Sequence, residues 1–451
     1  MTSPTESTRL VDPRGNRLGT ASHEAADRVE SALWRMMSFY DAPIADLAAA
    51  READPRWALP ATLLAGHLLA QGEPGHAQAA RALLDEAEPL LAGAPEREQA
   101  HHAALCALAD GRWQQAARAW GELLLDHPRD ALALHWAHAC DLALGETAAL
   151  RLRPARVLPE WDEADPLHPC VLGLYAFGLA EGHLYPQAEE AGRRALAGDA
   201  RVPWAVLAVA QVMDRLGRFE DGAAWLRQHQ PGWADGNDFA THLWWQMALF
   251  RLEALDLPGV HRLIDAHLSG AALRTARERL DAVSLLWRMH LLQEDVGARF
   301  TELLRDWPLD DSHAGHHALV DLHVLLALLG ASEMVRAETW VARCAERAMS
   351  PEDARRSNHA VAREVGLPMM RGLLAQARGD ADAAVTALHG ARPQAWRLGG
   401  SHAQRELIDQ TLLAASAAAH HRAVGRALLN ERRMAKPLTP LTRHWVERMG
   451  A

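Results

Sequence analysis

Cysteine is rare in this 451-residue sequence, and its four cysteines stand far apart. Cys106, Cys140, Cys170 and Cys344 lie in mostly apolar stretches. They form neither a CxxC pair, as in many metal and redox sites, nor the spacing of a disulfide framework. A small disulfide-built secreted fold is therefore excluded, and we expect a cytoplasmic protein with reduced thiols.

Two further absences argue against membrane and nucleic-acid partners. No stretch of about 18 apolar residues is available to span a bilayer, and the polar N-terminus lacks an apolar core of the signal-peptide type. Basic residues are nowhere concentrated as binding to a phosphate backbone requires, and the formal net charge is −11. We predict that neither a membrane nor a nucleic acid is a partner.

Signatures of catalysis and of β-structure are missing as well. The sequence contains no Walker loop, dinucleotide-binding glycine fingerprint, serine nucleophile elbow or HExxH zinc motif. Strand-like alternation of Val, Ile, Thr and aromatic residues is nearly absent, although 49% of the residues are hydrophobic. We predict an all-helical fold without cofactor or metal, and we lean towards a non-enzymatic protein.

The sequence does contain a repeat. Gly111 and Gly145 are 34 residues apart, and so are His183 and Gly217. This is the period of a tetratricopeptide helix-turn-helix unit, whose neighbours bury each other's apolar faces. We predict a tetratricopeptide-like α-solenoid of stacked antiparallel helix pairs in a right-handed superhelix. Residues 1–23 are expected to be a polar leader that need not be ordered, and residues 24–451 one continuous repeat domain.

Helix signals are clearest around the first 34-residue unit. A first helix is predicted at Glu98–Ala109, a second at Trp113–Asp126 with a proline stop, and the next first helix at Ala131–Leu144. Four prolines between residues 154 and 169 then predict a long connection outside the repeat pattern. The other predicted helices are 25–40, 44–54, 171–181, 187–197, 204–216, 220–228, 239–254, 258–267, 280–293, 316–329, 368–378, 381–389, 402–420 and 424–431.

Several stretches from about Glu98 onward carry a family likeness. The more specific ones are Arg363-Glu364-Val365-Gly366-Leu367-Pro368 and Leu398-Gly399-Gly400-Ser401-His402-Ala403-Gln404-Arg405. Others are Tyr175 to Leu179, Trp225-Leu226, His242 to Phe250 and Asp321-Leu322-His323. In this order they resemble the tetratricopeptide repeat protein 38 family, whose members occur in bacteria and animals. The resemblance implies a compact tetratricopeptide-like solenoid, and it brings no established reaction with it.

The chain departs from this family's pattern at two positions. Relatives resemble an Ala-His-Val-x-Glu helix where this chain has Ala210-Gln211-Val212-Met213-Asp214, and a His-Asn-Trp-Trp-His helix where it has His242-Leu243-Trp244-Trp245-Gln246. Two expected histidines are thus glutamines. If the histidines form a metal or acid–base site in relatives, that site is lost or altered here, because an amide neither titrates near neutrality nor binds zinc well.

Polar groups on the first helix of each pair are the candidate ligand contacts, because that helix lines the concave surface of such a solenoid. Some of them share a helix face at three- or four-residue spacing. The alternative is that they hydrogen-bond between adjacent helices as buried polar residues. The candidates for the concave face are His138, Asp141, Tyr175, Gln211, Asp214, His242, Trp245, Gln246, Asp321, His323, His402, Gln404 and Arg405.

Two local patterns have both a structural and a functional interpretation. His313, His317 and Asp321 recur at intervals of four and could hold zinc on one helical stripe, but the stretch 312–315 is equally typical of a loop and cap. Ser401 followed by Gln404 is typical of a capping box. The free helix N-terminus there, with Arg405 beside it, could instead bind an anionic group.

Together these features predict a cytoplasmic, non-enzymatic scaffold that binds a protein or peptide partner in its concave groove. Arg405, His402 and His323 are the predicted polar anchors and Trp245 an apolar one, and the negative net charge favours partners that carry Lys or Arg. The alternative is an enzyme or pathway accessory protein that binds a small molecule in a closed polar and aromatic pocket lined by the first helices. Self-association through repeat faces is a third prediction.

Overall fold

A computed structural model describes residues 10–450 apart from 306, 308, 310–312 and 420. Regular structure in this part of the chain is helical, and β-structure is limited there to the isolated bridges Val11–Arg17 and Tyr40–Asn237. The predicted all-helical fold is confirmed. No described helix is both long enough and apolar enough to cross a membrane.

The helices are numbered in chain order. Those of the first half are α1 (His23–Ser38), α2 (Ile44–Ala53), α3 (Leu59–Ala70), α4 (Pro74–Ala87), α5 (Glu96–Ala109), α6 (Trp113–Asp126), α7 (Ala131–Leu144), α8 (Thr147–Val157), α9 (His168–Glu181), α10 (Tyr185–Gly198), α11 (Pro203–Arg215), α12 (Phe219–His229), α13 (Ala240–Glu253) and α14 (Leu257–His267). Those of the second half are α15 (Ala276–Leu291), α16 (Arg299–Arg305), α17 (Ala318–Gly330), α18 (Met334–Met349), α19 (Ser357–Val361), α20 (Leu367–Ala377), α21 (Ala381–Ala391), α22 (His402–Ala418), α23 (Arg422–Ala435) and α24 (Pro440–Met449).

Successive helices pack as pairs, such as α3 with α4, α5 with α6 and α9 with α10. First helices also pack on one another, as α9 does on α11 and α15 on α17. α11 is buried at every residue from Pro203 to Asp214. α18 instead buries a single face, with a buried residue every three or four positions from Ala337 to Ala348. First helices therefore lie inside and second helices outside, and the predicted stack of helix pairs is confirmed.

Most predicted helix boundaries agree with the structure, and the predictions for α6 and α7 coincide with it. The connection predicted after α7 is wrong in its first part. α8 is the second helix of that pair and contains Pro154, which has no N–H to donate to the carbonyl of Leu150. Six helices lie where the sequence analysis makes no assignment: α3, α4, α16, α18, α19 and α24.

Residues 10–22, expected in the polar leader, pack against the helices. The N–H of Leu18 donates to the carbonyl of Leu10 at 2.8 Å, and the buried Arg14 forms an ion pair with Glu30 of α1. The N–H of Gly19 donates to Glu98 of α5 at 2.7 Å. The leader prediction is corrected for this stretch, and residues 1–9 lie outside the described residues.

The turns between paired helices share one backbone feature. Gly111, Gly145 and Gly217 have φ of +73°, +72° and +67°, and His183 has φ of +61°. A left-handed residue ends each first helix and reverses the chain. These four residues are the ones that recur in the sequence, so the repeat marks a row of turns along the stack.

The second half of the chain packs on this row of turns. The N–H of Ser357 donates to the carbonyl of Gly111 at 2.9 Å, and the N–H of Gly400 donates to Leu142, close to Gly145, at 3.0 Å. Lys436 and Thr439 lie against Gly217 in the same way. The accessible surface is 19060 Å², against about 16,800 Å² for a compact globule of this mass. The chain therefore folds back on itself instead of forming an open spiral.

Gly145→Ala should destabilise the protein more than Gly379→Ala. Both glycines end a first helix at positive φ, +72° and +80°, so either alanine costs about 1 kcal/mol of backbone strain. A Cβ at Gly145 would also overlap the carbonyl oxygen of Trp396, whereas nothing lies within 4 Å of a Cβ at Gly379. We expect a further loss of about 1–3 kcal/mol for Gly145→Ala, measured by urea unfolding. Equal losses of unfolding free energy for both variants would show that Gly145 is not in close contact with Trp396.

Candidate functional site

The predicted concave residues lie in the closed interior of the molecule. Trp245 and Gln246 have no solvent exposure and His138 has 1%. Tyr175 and His402 are half-buried, and the remaining candidates are all buried. Helices of the same chain bury these residues: α15 packs on α13 and α22, and α24 packs on α13. These residues therefore do not line an exposed groove, and their role in binding stays a prediction.

Asp281 on α15 joins two of the predicted residues. Its carboxylate accepts from His242 Nδ1 at 2.6 Å and from Gln404 Nε2 at 3.2 Å. Gln404 Oε1 also accepts from the N–H of Ser401 at 3.0 Å, which completes the capping box of α22. The capping interpretation is confirmed, and both polar ends of Gln404 are satisfied within the chain.

The N-terminus of α22 holds an anion, and that anion is Glu181 of α9. Its carboxylate accepts from the N–H of His402 at 3.0 Å and from Arg405 Nη2 at 3.4 Å. Arg405 also donates to the carbonyl oxygens of Gly399 and Gly400. The site in which the sequence suggested a ligand or a partner's carboxylate is thus occupied by a side chain of the same molecule.

Lys436, the only lysine in the chain, lies in a cluster of buried charges. It is 2% exposed, and its Nζ donates to Asp214 at 3.1 Å, to Glu253 at 3.1 Å and to Glu406 at 3.0 Å. Arg432, one turn earlier, donates to Glu253 at 2.7 Å and to Glu406 at 2.6 Å. We call these five residues the ion cluster; it joins α11 and α13 of the first half to α22 and α23 of the second.

Most charges of the ion cluster hold one another ionised, whereas burial raises the pKa of Asp214 above its ordinary value. Burial alone would raise the pKa of Glu253, but Arg432 and Lys436 together lower it below its ordinary value. Burial alone would lower the pKa of Lys436, but the three carboxylates raise it above its ordinary value. A lysine that stays protonated is no nucleophile, so the ion cluster does not support amine chemistry.

Several polar side chains of the inner face have buried atoms that the described residues do not satisfy. The buried amides of Gln211 and Gln246, at the two positions where relatives resemble histidine, have no hydrogen-bond partner there. The same holds for Nε2 of His138 and of His323. An unpaired buried polar group costs about 1–3 kcal/mol. These side chains therefore belong to the part of the interior whose hydrogen bonding the described residues leave incomplete.

Interior space beside His323, one of these groups, is small. A cavity of about 20 Å³ is lined mainly by leucines, with His323, Gln404 and Thr411 as its polar members. It accommodates about one water molecule. Burial lowers the pKa of His138 to about 3 and of His323 to about 4, so both imidazoles are neutral at physiological pH. The cavity and its neutral walls do not match a pocket for a metabolite.

His317 and Asp321 of the predicted stripe His313, His317 and Asp321 are held by backbone groups. His317 caps α17, with Nδ1 accepting from the N–H of Leu319 at 3.2 Å, and its Nε2 donates to Ala143 at 3.3 Å. Asp321 accepts from the N–H of Gly315 at 3.1 Å. Within the described residues no group of three or more His, Cys, Asp and Glu side chains could hold a metal ion. The loop-and-cap interpretation is the one that the geometry supports.

The sequence analysis missed a surface pocket between α6 and α8, the outer helices of successive pairs. Its volume is about 230 Å³, and its floor includes Leu124, Pro128 and Val157. Leu125, also in its lining, is 71% exposed. The prediction of a proline-rich connection in place of α8 concealed this pocket, because no second outer helix was expected there.

Two arginines line the same pocket. Arg153 is fixed by Asp141, which accepts from Nε at 2.7 Å and from Nη2 at 2.9 Å. Its remaining Nη1 lies against Gly121, where any larger residue would overlap it. Arg156 is exposed and, within the described residues, has no ion pair. Asp141, predicted to face a groove, therefore acts on the outer face by orienting Arg153.

No known family model matches the chain. Among solved structures, a tetratricopeptide repeat protein from Parabacteroides merdae is similar over 65% of this chain and 99% of its own, at 14% identity and a TM-score of 0.34. A chain of the APC/C hetero-tetramer Cut9–Hcn1 is similar over 94% and 95%, at 12% identity and a TM-score of 0.31. A chain of the Naa15/Naa10 complex bound to HypK-THB is similar over 90% and 68%, at 13% identity and a TM-score of 0.21.

Asp321→Asn should stabilise the protein near neutral pH. Burial raises the pKa of Asp321 to about 8, against about 3.9 in an unfolded chain. The stability contributed by the protonated acid is complete below about pH 4 and is lost as pH rises towards 8, at up to about 1.4 kcal/mol per pH unit. Asparagine is uncharged over this whole pH range, so the variant does not lose stability in this way.

The difference in free energy of unfolding between Asp321→Asn and wild type, measured in urea, should therefore widen from about pH 5 to about pH 7. A difference that stays constant over this range would show that Asp321 is ionised in the folded protein.

Proposed function

We propose that the protein is a non-catalytic helical-repeat scaffold that binds a protein partner on its outer face, in the pocket between α6 and α8. The observation that carries this is Leu125, a large apolar side chain 71% exposed at a pocket with an apolar floor. Protein interfaces are centred on such apolar anchors, with polar contacts around them.

The arginines of the pocket indicate the chemistry of the partner. Arg153 is already held in place by Asp141, so little side-chain entropy is lost when its free Nη1 binds a ligand. Arg156 adds a second, exposed guanidinium. A partner segment with an apolar side chain for the floor and an acidic side chain for these arginines fits best.

The net charge of −11 favours a basic partner at long range. Charges more than about 8 Å apart are largely screened at physiological ionic strength. Contacts within the pocket are shorter than that, so its own charged side chains, the two arginines and the exposed Glu160, decide the preference of this surface.

The alternative of a small-molecule enzyme has less support from the interior. The acids and bases of the ion cluster are engaged with one another. The cavity beside His323 accommodates about one water molecule.

We also infer membership of the tetratricopeptide repeat protein 38 family. Two family-like motifs have defined structural roles. Residues 362–366 form a π turn before Pro368, which cannot donate a backbone hydrogen bond. The motif from Leu398 to Arg405 contacts Leu142 and Glu181 across the two halves of the chain. A relative's structure in which this motif packs elsewhere would contradict the inference.

Leu125→Glu should abolish capture of the partner. The immobilised full-length protein would be incubated with an extract of its source organism, and the bound proteins quantified by mass spectrometry. A carboxylate on the anchor repels the acidic partner and removes the apolar contact, so we expect retention to fall at least about tenfold. Val335→Glu is the matched control, because Val335 is 78% exposed on α18 and does not line the pocket.

Support requires a protein that wild type and Val335→Glu retain and Leu125→Glu loses. If Leu125→Glu retains every wild-type interactor equally, the outer pocket is not the binding surface.

A further inference from the structure

Arg277, the second residue of α15, is an arginine left without an acid. Its neighbours in sequence are paired: Arg274 donates to Asp238 at 2.8 Å, and Arg279 donates to Glu73 at 2.9 Å. Within the described residues Arg277 itself makes no ion pair and no hydrogen bond. Its side chain is half-buried, so solvent reaches the charge.

The groups around Arg277 do not neutralise it. Glu278 is engaged in the capping box of α15, where it accepts from the N–H of Thr275 at 2.7 Å. The pKa of His135 is lowered to about 4 by its burial and by His67 and Arg277, so this imidazole is neutral. Among the described residues the positive charge of Arg277 therefore has no acidic partner.

Aromatic rings form the wall next to this charge. The guanidinium carbon of Arg277 lies 5.8 Å from the ring centre of Phe39 and 5.6 Å from that of Phe239. Trp204 packs 5.0 Å from Phe239 and 6.3 Å from Phe39. We call Phe39, Trp204 and Phe239 the aromatic mouth: Trp204 and Phe239 lie at the starts of α11 and α13, and the half-buried Phe39 follows the end of α1.

Two polar atoms behind the aromatic mouth lack partners. The rings of Trp204 and His138 are 5.5 Å apart, and Trp204 Nε1 and His138 Nε2 are buried without a hydrogen-bond partner among the described residues. Such groups are normally satisfied by protein, water or ligand. One side chain supplies a donor, and the neutral imidazole supplies a donor or an acceptor.

We propose that the aromatic mouth and Arg277 bind a small organic carboxylate. The carboxylate pairs with the guanidinium of Arg277, which has no acid of its own. The apolar body of the ligand packs on Phe39 and Trp204, where cation and rings already adjoin. The site is separate from the outer pocket, so this proposal does not depend on the partner proposed there.

Benzoate is the probe for this site, and benzamide is its neutral isostere. Saturation-transfer NMR on the full-length protein should show saturable binding of benzoate and about tenfold weaker binding of benzamide. Arg277→Gln should remove the preference for benzoate. Arg274→Gln, three residues away, should keep it, because Arg274 pairs with Asp238.

Phe39→Leu tests the apolar wall without changing charge and should weaken both probes, which keeps the proposal testable if Arg277→Gln does not fold. No saturable benzoate signal with wild type, or the same preference for benzoate in Arg277→Gln, would overturn the proposal. Tighter binding of an acetylated tripeptide with a free carboxylate than of benzoate would assign the site to a peptide terminus and overturn the small-molecule assignment.

Discussion

Lys436 and the three carboxylates around it fix the position of the second half of the chain relative to the first. The apolar residues form two large clusters, one ending at Phe250 and the other beginning at Trp245, and the ion cluster lies between the helices of both. Buried ion pairs add little net stability compared with apolar packing, but removing one partner is costly. The ion cluster therefore serves mainly to specify one arrangement of the two halves of the chain. Glu181 has the same role beside the neighbouring turn at His183, where its carboxylate joins α9 to the start of α22.

Closure of the chain changes where function can reside. In an open solenoid the first helices would present His242, Gln404 and Asp281 to a partner, but here these residues bond to one another. The two proposed binding surfaces lie outside this closed interior. One is the pocket between the outer helices α6 and α8, and the other is the half-buried Arg277 with the aromatic mouth. Both present an arginine that the rest of the chain has either positioned or left unpaired.

The sequence allowed the helix pairs and their turns to be predicted, because both depend on neighbours within about 40 residues. The limits of α6 and α7 and the capping box at Ser401 are correct for this reason. Closure could not be predicted, because it depends on pairs such as Glu181 with His402, 221 residues apart, and Asp214 with Lys436, 222 apart. Periodicity carries no information on such contacts. Asp141 illustrates the consequence: it was assigned correctly to a first helix, but its partner Arg153 lies on a helix that the prolines concealed.

The most direct test of closure uses the single lysine. The native protein would be treated with an amine-specific acetylating reagent, and the modified sites located by peptide mass spectrometry. Burial and three carboxylates should protect Lys436 in the folded protein, so that only the α-amino group at the N-terminus reacts and Lys436 is modified after denaturation. Acetylation of Lys436 in the native protein at the rate of an exposed lysine would show that the second half of the chain does not close on the first.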